Sequence, residues 1–398
     1  MNKIELLSPA GDLERLKYAV IYGADAVYIG GKQYSLRSMA SNFTLDDIKE
    51  GCEFAHAYGS KIYVTCNMVM HESDINDISN YLKDLEKCGV DGIIASSLKI
   101  LTLVKKETTM EAHVSTQQSV SNSKGIQFLK DSIGIERVVL ARECSMENIK
   151  DICENTDVDI EVFIEGAMCA SVSGRCMLSN IMTNRDANRG GCAQPCRWNY
   201  DIYEENMKVS RGNYDFSMAS RDLSAIEFIP ALIDAGVTSL KIEGRMKSLH
   251  YVATIVNAYR RCIDEYLSTG KIQDFEVYKS NLKHGENREI SHGFFKGDVT
   301  KNEVIYNHGI STASHDFVGI VESFDEETGL TVMKQRNVFE GHREIEILSP
   351  KKEPYKVRIE EIYDDKDNVL ESARRPGCKV KFYIKDKTIK ISKFSLIR

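Results

Sequence analysis

The residues best suited to chemistry in this chain are thiols. Four of its eleven cysteines, Cys169, Cys176, Cys192 and Cys196, fall within 28 of its 398 residues. They lie on a Gly- and Arg-rich stretch, where the chain can fold back tightly enough to aim several sulfurs at one point. Thiolates gathered in this way suit an iron–sulfur cluster. Three other readings use the same residues. Structural zinc takes the same soft ligands, but usually from two short knuckles, and only Cys192 and Cys196 are that close in sequence. A redox disulfide would use two of the four thiols. Buried, inert thiols would use none.

The same stretch is basic. Between Gly174 and Tyr200 stand Arg175, Arg185, Arg189 and Arg197 against one acid, Asp186. The whole chain carries a net charge of −7, so bulk charge does not recruit nucleic acid, and RNA binding would need a local patch such as this one. The plainer reading is a solvated loop. A second polar set follows the ends of expected strands: Asn67, Thr116, Gln117, Arg142, Glu143, Glu165, Glu243 and Arg245. Arg142 and Arg245 offer planar forks to a carboxylate or phosphate. Glu143, Glu165 and Glu243 could serve as acid or base, or could pair with those arginines. Taken one at a time, each is more simply a cap or loop hydrogen bond.

The elements that must position these residues alternate. Apolar runs at Ile4–Leu7, Asp25–Ile29, Lys61–Cys66, Gly92–Ala95, Glu111–Val114, Arg137–Leu140, Asp159–Ile164 and Ser239–Ile242 read as eight strands. Amphipathic runs fit between most of them, such as Leu13–Tyr22 and Asp74–Cys88, the latter with Ile75, Ile78, Leu82 and Leu85 on one face. Gly23 and Gly89 mark helix ends, and the phrases that follow them echo each other as repeats of one helix–turn–strand unit. Helices alternating with strands imply parallel pairing, and eight such units favour a TIM-like (β/α)8 barrel, an α/β fold, over an open sheet. The barrel is expected over 1–270, with the cysteine-rich segment 165–222 inserted after strand seven. Loops after strands line the C-terminal mouth, where active sites of such barrels sit. A closing helix over Lys247–Thr269 has Cys262 in its apolar face. Residues 271–310 read as a connecting segment. The last 88 residues, from 311, alternate in short strands between turns and predict a small β-barrel-like domain.

Composition narrows the class further. Hydrophobic residues at 42% and charged residues at 28% are ordinary for a globular protein. The start of the chain has no apolar signal-peptide core, no run approaches a membrane span, and eleven cysteines suit a reducing compartment, so a cytoplasmic location is expected.

Longer blocks then carry a resemblance. Glu161-Val-Phe-Ile-Glu-Gly-Ala-Met-Cys169, Ser173-Gly-Arg-Cys176-Met-Leu-Ser179, Gly191-Cys-Ala-Gln-Pro-Cys-Arg197 and Leu240-Lys-Ile-Glu-Gly-Arg-Met-Lys247 resemble the signature blocks of the collagenase-like peptidases, family U32. Ser8-Pro-Ala-Gly11, Asn42-Phe-Thr44 and Ser115-Thr-Gln-Gln118 are similar to its other blocks. That family includes proteins named as collagenases. It also includes hydroxylation proteins that make 5-hydroxyuridine in tRNA or 5-hydroxycytidine in ribosomal RNA, and accessory proteins of ubiquinone hydroxylation. The resemblance implies an iron–sulfur cluster of the 4Fe–4S type on Cys169, Cys176 and Cys192. In one branch the fourth ligand follows an Asp-Leu pair, where this chain has Ser224, which leaves Cys196 for that place. It implies tRNA as partner, with Arg175, Arg185, Arg189 and Arg197 meeting phosphate, and a small carboxylate co-substrate such as prephenate. A protease acting on peptide or collagen is the alternative, and a non-catalytic cluster-bearing accessory protein is a third. Two departures stand out: Glu165 replaces the usual His before Gly-Ala-Met-Cys, and Arg221 replaces the usual Lys before Asp-Leu.

Overall fold

The structure is a computed structural model that describes residues 4–36, 42–209, 216–285, 288–297, 299–300, 317–386 and 388–398. Seven parallel strands follow one another around a barrel: β1 (Glu5–Pro9), β2 (Ala26–Ile29), β3 (Lys61–Cys66), β4 (Gly92–Ala95), β5 (Glu111–Val114), β6 (Arg137–Val139) and β7 (Asp159–Ala167). The closing strand, Ser239–Ile242, pairs in parallel with both β7 and β1, and the sheet is a closed barrel of eight strands. The expected (β/α)8 architecture is therefore the observed one.

Local signals explain the helices between the strands. In α1 (Leu13–Tyr22) the Asp12 side chain accepts from the Arg15 N–H at the start, and Gly23 ends the helix at φ 115°, a conformation costly for any residue with a Cβ. In α2 (Leu45–Ala57) Thr44 and Asp47 form a reciprocal capping box. The helix Ile75–Lys87 buries Ile78, Leu82 and Leu85 as its spacing predicts. Leu6, Val27, Ile62, Val64, Ile93, Val114, Val138 and Leu240 make the layer between sheet and helices.

Strand β7 runs three residues past its expected end at Ile164. The returning chain causes this, because the short strand Asp222–Ser224 pairs antiparallel with that end, Asp222 opposite Ala167 and Ser224 opposite Glu165. The cysteine-rich excursion thus leaves from β7 and comes back to it. Residues 271–300, expected to connect, instead extend the barrel edge. The helix Phe275–Lys283 packs on the long helix Leu249–Thr269, and Ile290–Ser291 pairs with Asp222–Leu223. Residues 301–316 lie outside the described ones.

The C-terminal unit is an antiparallel sheet of eight strands around Met333, Phe339, Ile345, Ile347, Ile362, Val380 and Phe382. Among the described residues its edge strands Tyr355–Arg358 and Val369–Leu370 do not meet, so the barrel-like β domain expected is a half-barrel. It docks on α1 and the long helix. The Tyr22 hydroxyl, fully buried, donates to the Leu348 and Phe394 carbonyls at 2.8 and 2.9 Å, and the Asn257 side chain donates to the Lys352 carbonyl at 2.9 Å. Ile320, Leu348 and Leu396 join the barrel's own core.

Candidate functional site

The lower half of the barrel interior is charged, which the sequence reading did not anticipate. The Lys241 ammonium lies 2.6 Å from Glu161 and over the Tyr28 ring at 4.5 Å. Arg137 reaches Glu161 at 3.3 Å and Glu5 at 2.5 Å, and the Tyr63 hydroxyl donates to Glu5 at 2.8 Å. These side chains come from β1, β2, β3, β6, β7 and the closing strand. Burial works against the charge on Glu161, but Lys241 and Arg137 prevail and hold its carboxyl below the ordinary range. Charged residues at alternate positions of otherwise apolar strands were the available signal.

Above this layer the mouth is held by arginines that already have partners. The Arg142 fork spans the Ala167 carbonyl at 2.7 Å and Glu243 at 3.1 Å, and its guanidinium stacks 3.9 Å above the Phe163 ring. Arg245, 5% exposed, donates to the Ser35 hydroxyl at 2.9 Å. It can lie there because residue 30 is glycine: a Cβ would stand 1.9 Å from the guanidinium. Arg142 and Arg245, the two forks considered for a carboxylate or phosphate, thus both hold protein partners. Glu143 accepts from the Ser173 N–H at 2.8 Å and its hydroxyl at 3.1 Å, tying the excursion to the loop after β6. Glu165 is not in a loop but in β7, 2% exposed, and accepts from the Tyr259 hydroxyl at 2.8 Å. The pairing of β7 with the closing strand skips a residue between Phe163 and Glu165. That bulge re-aims Glu165 away from the face that carries Phe163. Thr116 and Gln117 take loop hydrogen bonds, to the Leu140 carbonyl and from the Ser115 hydroxyl.

The four thiols occupy the excursion at the barrel mouth. Cys169 and Cys192 are exposed, and Cys176 and Cys196 are half-buried. Cys169 accepts from the Ser171 N–H at 3.4 Å. Burial pushes the Cys176 thiol up, but hydrogen bonds from the Ser171 side chain and the Ser179 and Leu178 backbone outweigh it and leave the thiol lowered. Burial raises the Cys196 thiol, Arg197 opposes this, and Cys169, Cys192 and Cys176 add to it. The four sulfurs are thus near enough to act on one another. Their softness and the N–H groups aimed at them fit a thiolate-held centre. No three His, Cys, Asp or Glu side chains among the described residues stand at metal-ligand spacing, however. The fit is one of donor type and neighbourhood. By contrast, burial pushes Cys52, Cys66 and Cys262 up to about 12, as inert core thiols.

The arginines of the excursion divide. Arg175 and Arg185 are exposed. Arg197 is half-buried beside the turn after the closing strand. Arg189 pairs with Asp74 at 2.6 and 3.1 Å and donates to the Val69 carbonyl at 2.6 Å, while the Val69 N–H donates to the Asn188 carbonyl at 2.9 Å. Asn188 in turn bonds both backbone groups of Cys176, at 3.2 and 3.1 Å. Arg189, expected among the phosphate contacts, anchors the cysteine loop through Asp74 and Val69.

Residues 11–305 match the sequence model of peptidase family U32, and residues 313–398 that of its C-terminal domain. The chain belongs to peptidase family U32. It is 47% identical to tRNA hydroxylation protein P1 of Bacillus subtilis (strain 168), over 97% of this chain and 93% of that protein. It is 38% identical to Uncharacterized protease MJ0090 of Methanocaldococcus jannaschii, over 76% of this chain and 75% of the other. Identity to the 23S rRNA 5-hydroxycytidine C2501 synthase of Escherichia coli (strain K12) is 40%, over 69% of this chain and 43% of that longer protein. In this U32 protein the two departures noted in the sequence have places. Glu165 meets Tyr259, and Arg221 pairs with Glu289 at 2.7 Å.

Two outcomes follow for this U32 fold. Lys241→Met should cost about 3 kcal/mol of unfolding free energy in a denaturant melt, because it takes from a buried carboxylate the nearer of its two cations and leaves Arg137 alone against it. Arg189→Ala should leave the melting of the barrel nearly unchanged but open residues 169–197 to limited proteolysis. The Arg189 hydrogen bond, then the His71 N–H, hold Asp74 at about 2 against an ordinary 3.8. A depressed carboxyl contributes stability that is whole above its unfolded value and is lost as pH falls through the folded one. Protection of the loop in the unaltered protein should therefore persist at neutral pH and fade between about 3.8 and about 2.

Proposed function

We propose that this U32 protein is an RNA-modifying enzyme that hydroxylates uridine in tRNA to 5-hydroxyuridine, with a 4Fe–4S cluster held by Cys169, Cys176, Cys192 and Cys196. The observation that carries the reading is the 47% identity to a protein named for tRNA hydroxylation, over nearly the whole of both chains. The cluster, when bound, would supply one-electron redox chemistry at the barrel mouth. The chain's own residues do the rest. Glu143, Asn188 and Arg189 fix the thiol loop to the barrel. Arg142, Glu243 and Arg245 keep the rim rigid beneath it. Arg175 and Arg185 stand exposed to meet phosphate, and Trp198, 42% exposed, offers a ring on which an unpaired base can stack. Arg197 contributes charge from the same loop. A small carboxylate such as prephenate would serve as co-substrate. The protein would act in the cytoplasm.

Proteolysis is the second reading, favoured by the 38% identity to a protein named as a protease. It is weakened by the engagement of Glu165, Glu143, Glu243, Arg142 and Arg245 in hydrogen bonds that stiffen the rim. An accessory role without catalysis is separated from both by activity in reconstitution.

Anaerobic reconstitution should load iron and acid-labile sulfide in about equal amounts. Replacing Cys169, Cys176, Cys192 or Cys196 by Ser should each remove most of it, whereas Cys262→Ser and Cys52→Ser should not. Stoichiometric zinc without sulfide would refute the cluster. For the substrate, a double change of Arg175 and Arg185 to Ala should weaken tRNA binding and reduce the salt slope by about 1.5, the share of two phosphate contacts. Mass spectrometry of tRNA nucleosides from cells lacking the protein decides the reaction: 5-hydroxyuridine should fall. If every hydroxylated nucleoside is unchanged and the purified protein cleaves denatured collagen, proteolysis takes its place.

A further inference from the structure

The turn after the closing strand carries a lysine that none of these roles employs. Lys247 is 18% exposed at its side chain. Its ammonium meets one carboxylate oxygen, of Asp222, at 3.5 Å, and the face of the Tyr251 ring at 4.9 Å. An ammonium has three N–H donors, and among the described residues Asp222 takes one of them. Asp222 is 5% exposed, and its other oxygen takes the Arg288 guanidinium at 3.2 Å. One carboxylate therefore serves two cations that are each largely withdrawn from water. Burial lowers the Lys247 pKa; the Asp222 charge and hydrogen bond act against it, and the charges of Arg288 and Arg197 add smaller downward pushes. Two half-buried cations that share one carboxylate keep N–H donors that an oxyanion can take.

The place matters as much as the charge. In closed α/β barrels the loops after strands seven and eight frequently hold phosphate groups. Lys247 follows the eighth strand, Asp222 pairs beside the end of β7, and Arg197 rides on the excursion that leaves β7. Arg288 is brought in by the strand Ile290–Ser291, which pairs with Asp222–Leu223. A purely structural bridge would account for Arg288, which ties that strand down. It does not account for Lys247, whose contact with Asp222 is long.

We infer that Lys247 and Arg288, with Asp222 orienting them and Arg197 adding charge, form a seat for the oxyanion of a small ligand, a phosphate or a carboxylate, at the rim between strands seven and eight. The seat is separate from the forks of Arg142 and Arg245. It can be read without RNA, so its failure would leave the tRNA proposal standing, and the nucleoside measurement would test that proposal alone.

The experiment is trace acylation of the full chain with acetic anhydride, read lysine by lysine by peptide mass spectrometry. It is run in chloride, inorganic phosphate or malonate at matched ionic strength. With the ion at about ten times its dissociation constant, the free fraction, and with it labelling of Lys247, should fall about tenfold. Lys150 and Lys87, 64% and 76% exposed, should label equally in all three buffers. Protection by phosphate alone identifies a phosphate seat, by malonate alone a carboxylate seat, and by both a general oxyanion seat; each supports the inference. Arg288→Gln, checked for folding by circular dichroism, should abolish the protection. Protection by neither ion would overturn the inference, as would equal protection in a folded Arg288→Gln protein.

Discussion

The ion network inside the barrel constrains everything above it. Lys241 of the closing strand meets Glu161 of β7, and Arg137 of β6 meets Glu161 and Glu5 of β1. These four strands are the seam at which the sheet closes. Ordinary barrels of this type fill that space with layers of apolar side chains. Charges there must be mutually paired, since each ion left alone costs several kcal/mol. A two-residue slip of the closing strand would keep its faces right but carry Lys241 away from Glu161. The network thus selects one register where hydrophobic alternation alone allows more than one. It also fixes where Phe163 stands, and with it the plate on which Arg142 lies.

From that register the rim follows. β7 gains one residue on the closing strand beyond Lys241, and the bulge turns Glu165 toward Tyr259 and the long helix. Gly166 then passes so close to Glu243 that a Cβ would stand 2.6 Å from its carbonyl oxygen, and its φ of 104° suits glycine. Glu243 is thereby delivered to Arg142. A rim built in this way is stiff, since each of its long side chains is held at both ends. The adaptable part is the excursion that it carries.

Much of this was legible in the chain. The eight strands, the caps at Asp12 and Thr44, and the departure of the cysteine segment from strand seven are local patterns, and local patterns survive in sequence. What was not legible depends on partners far away. Arg189 reads as one of four loop arginines until Asp74, distant in sequence, takes it. Glu165 reads as following a strand because its strand is prolonged only by pairing with Asp222–Ser224, which returns after the whole excursion. Lys241 and Glu161 read as the polar alternation of a strand, and nothing local reveals that the polar face turns inward. Lys247 shows no role locally, because its neighbours Asp222, Arg288 and Arg197 come from other segments.

The excursion combines two demands that usually conflict. Its backbone is pinned at Ser173, Cys176, Asn188, Arg189 and Ser217, by contacts to the barrel or within the loop. Yet Val172, Met177, Ile181, Trp198 and Tyr203 point large apolar side chains at solvent, from 42% to 76% exposed. A folded chain gains nothing from leaving such groups wet, and a contiguous patch of them marks a surface that meets something else. Arg175 and Arg185 stand exposed on the same excursion. Pinning lowers the entropy cost of ordering the loop against a partner. The anchors that hold the thiols together therefore also prepare the surface around them, and the chain's acidic balance keeps that preparation local to the mouth.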